Sequence, residues 1–194
     1  MTSDMRSPFE RVLGPDLERL PAPVRRFHSL REPLLTSGSA DIMAARGVVA
    51  WLVRRLASLP RPGRNVDVRV SFEPKATGGE YWDRTFADQR YASTIEAGSG
   101  RDQGLLIEHF GPFDLRFQLS VLHEGLAWSL VGWRCLRIPL PRWSVPRAKC
   151  LESADGERYT FDIDVTFPLI GWRMHYRGWL LPQDRVSSPP PRSA

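Results

Sequence analysis

The chain has 194 residues, 42% of them hydrophobic and 25% charged, with a net charge of +5, which suits one globular domain with a full core and no need of staples. The positive charge is arginine, since Lys75 and Lys149 are the only lysines, and it is scattered rather than gathered in one run; that argues against a nucleic-acid binder. Two cysteines, Cys135 and Cys150, have neither disulfide-framework spacing nor the histidine partners of a zinc site, so they are expected to be reduced and structural.

In chain order, Met1 to Phe9 has acid and proline where a secretion signal needs an apolar run, so a cytoplasmic protein is expected. Ser7-Pro8-Phe9-Glu10 is a helix start, with Ser7 as cap and Glu10 three residues on. That helix ends by Gly14-Pro15. A short helix follows over Asp16–Leu20, and a third turn over Pro23–Ser29 carries His28.

Leu34 to Arg46 is ambiguous, with Gly38–Arg46 a candidate first strand. Gly47–Leu59 carries Val48, Trp51, Leu52, Leu56 and Leu59 at helical spacing, and Pro60 and Pro62 end it. At that length, broken by Arg54 and Arg55, it falls far short of the ~20 residues of a membrane span. Its apolar stripe is expected to pack on the sheet that follows.

From Asn65 the hydrophobic period changes to two. Val66, Val68, Val70 and Phe72 alternate with polar residues. So do Phe113, Leu115, Phe117, Leu119 and Val121, and then Tyr159, Phe161, Ile163, Val165 and Phe167. Strict alternation means strands with one wet face, hence an antiparallel sheet. Further strands are predicted at Tyr81–Phe86, Arg90–Glu96, Gly104–Phe110, Leu126–Ile138 and Gly171–Leu181. Glu124-Gly125 and Asp155-Gly156 suit tight hairpins. Pro139–Pro146 is too stiff for one.

These elements predict a β-dominated α+β domain over residues 7–182. About eight antiparallel strands in meander order form a curved sheet or calyx-like barrel, with N-terminal helices and the 47–59 helix packed on it. Residues 183–194, rich in Pro and Ser, are expected to be a disordered tail.

Signatures of common chemistry are missing. Gly98-Ser99-Gly100 is followed by Gly104, the wrong spacing for a dinucleotide turn, and His123-Glu124 lacks the second histidine of a zinc protease helix. Asp162 and Asp164 lie inside a strand without the later ligands of a calcium loop. No cofactor and no metal site is therefore expected.

The more informative signal is charge at positions where the strand pattern calls for an apolar residue. Arg84 shares a face with Trp82 and Phe86, and Glu108 shares one with Leu106 and Phe110. A lone buried charge would cost several kcal/mol, so the two are expected to meet across the sheet or to line a cavity. The plain alternative is a structural ion pair. Among the histidines, a surface or capping place suits His28, strand ends suit His109 and His123, and a solvent-facing place suits His175. Trp51, Trp82, Trp128 and Trp172 are expected in the core. Trp133, Trp143 and Trp179 fall off the apolar faces, as a ligand wall or exposed patch would.

The order of these residues resembles a bacterial family known as domain of unknown function 4166. The resemblance rests on Leu20-Pro21-Ala22-Pro23-Val24 with His28, then Trp82, Arg84 and Phe86, Glu108, Gly132-Trp133-Arg134 and Pro139-Leu140-Pro141. It closes with Phe161-Asp162, Tyr176 and Gly178, spanning Phe9 to Pro182. It implies no catalytic residues. Such domains stand alone or are appended to proteins resembling saccharopine-dehydrogenase-type or other nucleotide-dependent oxidoreductases, and such an enzyme would be a separate partner here.

Three readings follow. One is a binding module holding an amphipathic or anionic small molecule in a mostly apolar pocket, with Arg84, Glu108, Trp82, His28, Trp133 and Arg134 as its ligand-binding set. Another is an accessory domain that docks on an oxidoreductase through Trp143 and Trp179. The third is an acid–base enzyme using His28 or Glu108.

Overall fold

The computed structural model describes residues 6–45, 60–167 and 171–183. The helix expected over 47–59 and the tail from residue 184 onward lie outside the described residues.

Ser7 caps α1 (Pro8–Leu13) in a reciprocal box. Its hydroxyl accepts from the Glu10 amide at 3.1 Å, and the Glu10 carboxylate accepts from the Ser7 amide at 2.6 Å. The same hydroxyl donates to the His28 carbonyl, at the end of α2 (Ala22–His28). A single 3-10 stretch, Gly14–Arg19, joins the two helices. Arg31 forks onto Glu10 at 2.6 and 2.8 Å and closes the unit.

The rest of the described chain is mainly β structure, with two short 3-10 turns at Gly100–Asp102 and Arg142–Ser144. The strands are β1 (Leu34–Ala44), β2 (Gly63–Pro74), β3 (Glu80–Phe86), β4 (Gln89–Ala97), β5 (Leu106–Phe110), β6 (Phe113–Leu122), β7 (Gly125–Cys135), β8 (Ile138–Pro139), β9 (Arg147–Asp155), β10 (Arg158–Phe167) and β11 (Trp172–Pro182). Each pairs antiparallel with its neighbour, β1 pairs with β11, and β7 pairs with both β6 and β9. Ten strands therefore close a barrel, and the two-residue β8 hangs on β7 at its rim. Closure removes the open edges that a curved sheet would leave.

The expectation of about eight strands falls short by two, for one reason. The inward residues of β9 are Ala148, Cys150 and Glu152, and those of β1 are Thr36, Gly38, Ala40 and Ile42, so neither strand shows a greasy alternation. At Gly38 an added Cβ would stand 1.8 Å from the Trp179 carbonyl oxygen. Only glycine allows β1 to lie that close to β11.

The helices plug one end. α1 packs on β4 and β5, and α2 on β9 and β10. Phe9, Leu17, Leu20, Val24 and Phe27 are all buried there. Phe9 stacks on His28 at 3.8 Å and lies 6.0 Å from the Trp82 ring, while Phe27 stacks on Tyr159 at 4.3 Å. The barrel thus has a closed aromatic floor. At the opposite end lie the β5–β6 and β7–β9 connections. Among the described residues no helix is long and apolar enough to cross a membrane.

Candidate functional site

A cavity of about 360 Å3 occupies the barrel above the plug. Its wall is mainly aromatic and aliphatic, running from Trp82 and Trp128 near the floor to Phe113 and Trp133 near the mouth. Because inward positions alternate along a strand, the lumen collects side chains from nine of the ten barrel strands, all but β1.

Into this wall project the two charges that break the strand pattern. Arg84 on β3 donates to the Glu108 carboxylate on β5 at 3.1 Å and to the Ser93 hydroxyl on β4 at 2.8 Å. Ser93 in turn donates to the same Glu108 oxygen at 2.7 Å. The guanidinium lies 4.8 Å from the Trp82 ring centroid and 5.6 Å from that of Tyr91, in cation–π range. Arg84 and Glu108 side chains are 15% and 14% exposed, so little solvent screens them. Burial opposes the Arg84 charge, yet Glu108, with Tyr91 and Tyr176, holds its titration above the ordinary range.

Three phenols and one thiol on the wall are held neutral. Burial pushes the Tyr91 phenol up to about 12, against the pull of Arg84. Burial also raises Tyr176 and Tyr159 well above the usual phenol range, with Tyr91 adding to the first and Glu152 to the second. The Cys150 thiol is driven well up by burial and by the Glu152 and Glu108 carboxylates, which keeps it from forming the reactive thiolate. These groups can donate hydrogen bonds, but none is poised as a nucleophile.

Beneath the lumen is a second polar group that strand reasoning did not expose. His28 Nε2 sits 2.5 Å from Glu152 Oε2, and both side chains are almost wholly buried. Among the described residues His28 Nδ1 has no hydrogen-bond partner. Close by, Glu80 accepts from Trp82 Nε1 at 2.8 Å through one oxygen, and its other oxygen has no hydrogen-bond partner among the described residues. Burial raises Glu80 from its ordinary 4.5 to about 7, although the Trp82 hydrogen bond and His28 oppose this.

That shift has a measurable consequence. Between about pH 4.5 and 7 the folded protein keeps a proton on Glu80 that the unfolded chain has released, so stability falls as pH rises through that window and then levels off. The loss amounts to roughly 3 kcal/mol by pH 8. Glu80→Gln keeps an acceptor for Trp82 and cannot ionise. Urea unfolding at several pH values should show the variant gaining on the parent as pH rises from 5 to 8; parallel curves would contradict the assignment.

The predicted ligand-binding set is thus divided by the structure. Arg84, Glu108, Trp82 and Trp133 line the cavity. His28 lies below it, behind Glu152, rather than on the surface. Arg134 does not join them. It donates to Asp102 at 2.8 Å, beside Arg116, which bonds the same carboxylate.

Trp133 reaches the lumen although alternation puts it off the apolar face. The pairing of Arg116 with Gly132 and of Phe117 with Leu130 leaves Val131 as an extra residue, a β-bulge that inverts the parity of β7. Trp143 is exposed, and Trp179 lies under the Arg158 guanidinium at 4.7 Å. His175 faces outward, with Nε2 2.8 Å from Asp162. His109 pairs with Asp114 at 2.8 Å. Sequence reasoning missed Glu152, Glu80, Tyr91 and Tyr176. For Tyr176 and Tyr91 the aromatic positions on β11 and β4 were a usable signal, whereas Glu152 sits on a strand that had none.

A family model described as a domain of unknown function, DUF4166, matches residues 20–180. The chain belongs to this family. The DUF4166 match takes in α2, every strand that closes the barrel and nearly all of the lumen wall. No curated protein and no solved structure matches the chain.

Proposed function

We propose that this DUF4166 domain is a binding module whose barrel holds a small amphipathic molecule, with the apolar body against the aromatic wall and the polar or anionic group at Arg84. One observation carries the reading. An arginine is held inside an apolar cavity by Glu108 and Ser93, which together occupy two of its five N–H groups. The cavity volume falls at the small end of the range typical of ligand sites, and a few converging polar groups on an apolar wall are what fix orientation in such sites. Phenols held protonated at Tyr91 and Tyr176 add donors beside the guanidinium.

The acid–base reading lacks support of this kind. The partners of Glu108 are Arg84 and Ser93, with no histidine among them. The oxidoreductase-docking reading needs Trp143 and Trp179 on one surface. Trp179 pairs with Ser39 and Thr160 toward the plugged end, while Trp143 lies in the β7–β9 connection at the other.

The test is titration with 11-(dansylamino)undecanoic acid, whose emission rises in an apolar site. The parent protein should bind it saturably. Arg84→Gln should weaken binding about tenfold, the loss of one charge-assisted contact. Leu130→Trp, which fills the lumen, should abolish it, with Ala148→Met as a milder filling. Binding unchanged in all three, with near-ultraviolet circular dichroism showing intact folds, would sink the proposal.

A further inference from the structure

At the end of the barrel opposite the plug, three large apolar side chains stand in water. Leu136 is 73% exposed, Ile138 66% and Trp143 68%. All three belong to the β7–β9 connection. Leu136 and Arg137 form the tip of the β7–β8 hairpin, and Trp143 lies in the 3-10 turn Arg142–Ser144. The turn is tied to the lumen wall because Trp133 Nε1 donates to Ser144 Oγ at 3.2 Å. Pro146, just after it, lines the cavity. Leu136 and Arg137 both hold positive φ, 49° and 67°, which a residue with a Cβ adopts only at a cost. The backbone is thus held in a shape that presents leucine outward.

Charge around this tip is of one sign. From Gly125 to Leu151 there is no Asp or Glu, while Arg134, Arg137, Arg142, Arg147 and Lys149 all fall there. Arg134 is engaged by Asp102. Of the carboxylates elsewhere at this end, Asp88 pairs with Arg61 at 3.1 Å and Asp164 with Arg173 at 2.5 Å, while Asp114 bonds His109 at 2.8 Å. Arg137, Arg142 and Arg147 are exposed and have no carboxylate partner among the described residues.

We propose that this rim docks the barrel on the surface of an anionic lipid bilayer. Tryptophan and leucine suit the boundary between headgroups and acyl chains, and arginines beside them suit anionic headgroup phosphates. An apolar tip with no cations would fit a protein partner as readily. A connection that carries arginines and, from Gly125 to Leu151, no carboxylate to repel phosphate matches the bilayer. Because the rim borders the cavity mouth, a docked barrel opens its lumen to membrane-borne amphiphiles, and this last step rests on the ligand reading above.

The experiment is co-sedimentation of the purified chain with vesicles of pure phosphatidylcholine, and with vesicles of roughly three parts phosphatidylcholine to one of phosphatidylglycerol. The chain should pellet with the anionic vesicles only, and added salt should release it. Combined Arg137→Gln, Arg142→Gln and Arg147→Gln should lower partitioning about a hundredfold. Combined Leu136→Ser, Ile138→Ser and Trp143→Ser should lower it about tenfold or more.

Wild-type protein left in the supernatant, equal binding to neutral vesicles, or unchanged binding by either triple variant would overturn the proposal. So would a dimer by sedimentation velocity that the serine variant dissolves, which assigns the patch to a second copy. Both assays on the parent protein separate the two readings. Docking without dansyl-acid binding keeps the rim and rejects the lumen, while dansyl-acid binding without docking does the reverse.

Discussion

His28→Ala should cost the fold roughly 3–5 kcal/mol, because removing one member of a buried hydrogen-bonded pair strips the other of that partner and leaves a cavity. Here the stranded group is Glu152, whose side chain is 3% exposed and lies 2.5 Å from His28 Nε2, with the Tyr159 phenol as its further partner. The imidazole also stacks on Phe9 at 3.8 Å, so its loss opens space at the join of plug and barrel. For a domain of this size such a loss should lower the melting temperature by about 10 °C. His28→Ala with Glu152→Leu should recover much of it, since the carboxylate that lost its imidazole partner is then gone. Thermal denaturation of the parent, both single variants and the double variant reads this directly. If the alanine variant lost under about 1 kcal/mol, Glu152 would have to be solvated or paired elsewhere, and the closed floor would be wrong.

The next largest effect is expected at the lumen charge pair. Glu108→Leu alone leaves the Arg84 guanidinium in an apolar cavity with the neutral Ser93 hydroxyl and the faces of Trp82 and Tyr91. The cost should be about 2–4 kcal/mol, toward the lower end of what buried pairs show because the lumen is not sealed. Arg84→Met with Glu108→Leu should be less damaging than Glu108→Leu alone, giving a coupling energy of about 2 kcal/mol in a double-mutant cycle. The same cycle bears on function. With Glu108 gone, Arg84 has a free charge, and a saturating anionic amphiphile should restore stability to the single variant by binding only the folded state. The double variant should gain nothing from the ligand. Additive single effects, or equal rescue of both variants, would show that the two charges do not act on each other.

Much of the barrel could be read from the chain, for a local reason. Along β2, β6 and β10 every second residue is apolar, and a pleated strand sends alternate side chains to opposite faces whatever its neighbours are. The same rule singled out Arg84 and Glu108, as charges on the greasy face of β3 and β5, and both line the cavity. It failed where inward residues are small or polar, as in β9, and where a bulge at Val131 reversed the parity and turned Trp133 inward. The capped α1 was legible because Ser7 and Glu10 are three residues apart, and a cap is made within one turn.

What the amino-acid order determined by itself was therefore the set of local choices: the capped first helix, the two-residue period of most strands, the hairpin turns, and two charges misplaced among apolar neighbours. Closure of ten strands into a ring, the meeting of Arg84 with Glu108 from β3 and β5, and the seating of His28 on Glu152, 124 positions away, were decided only in three dimensions. The physical reason is that each depends on register between strands and on where the plug docks. Those are set by packing of the whole core, and no short window of sequence contains them.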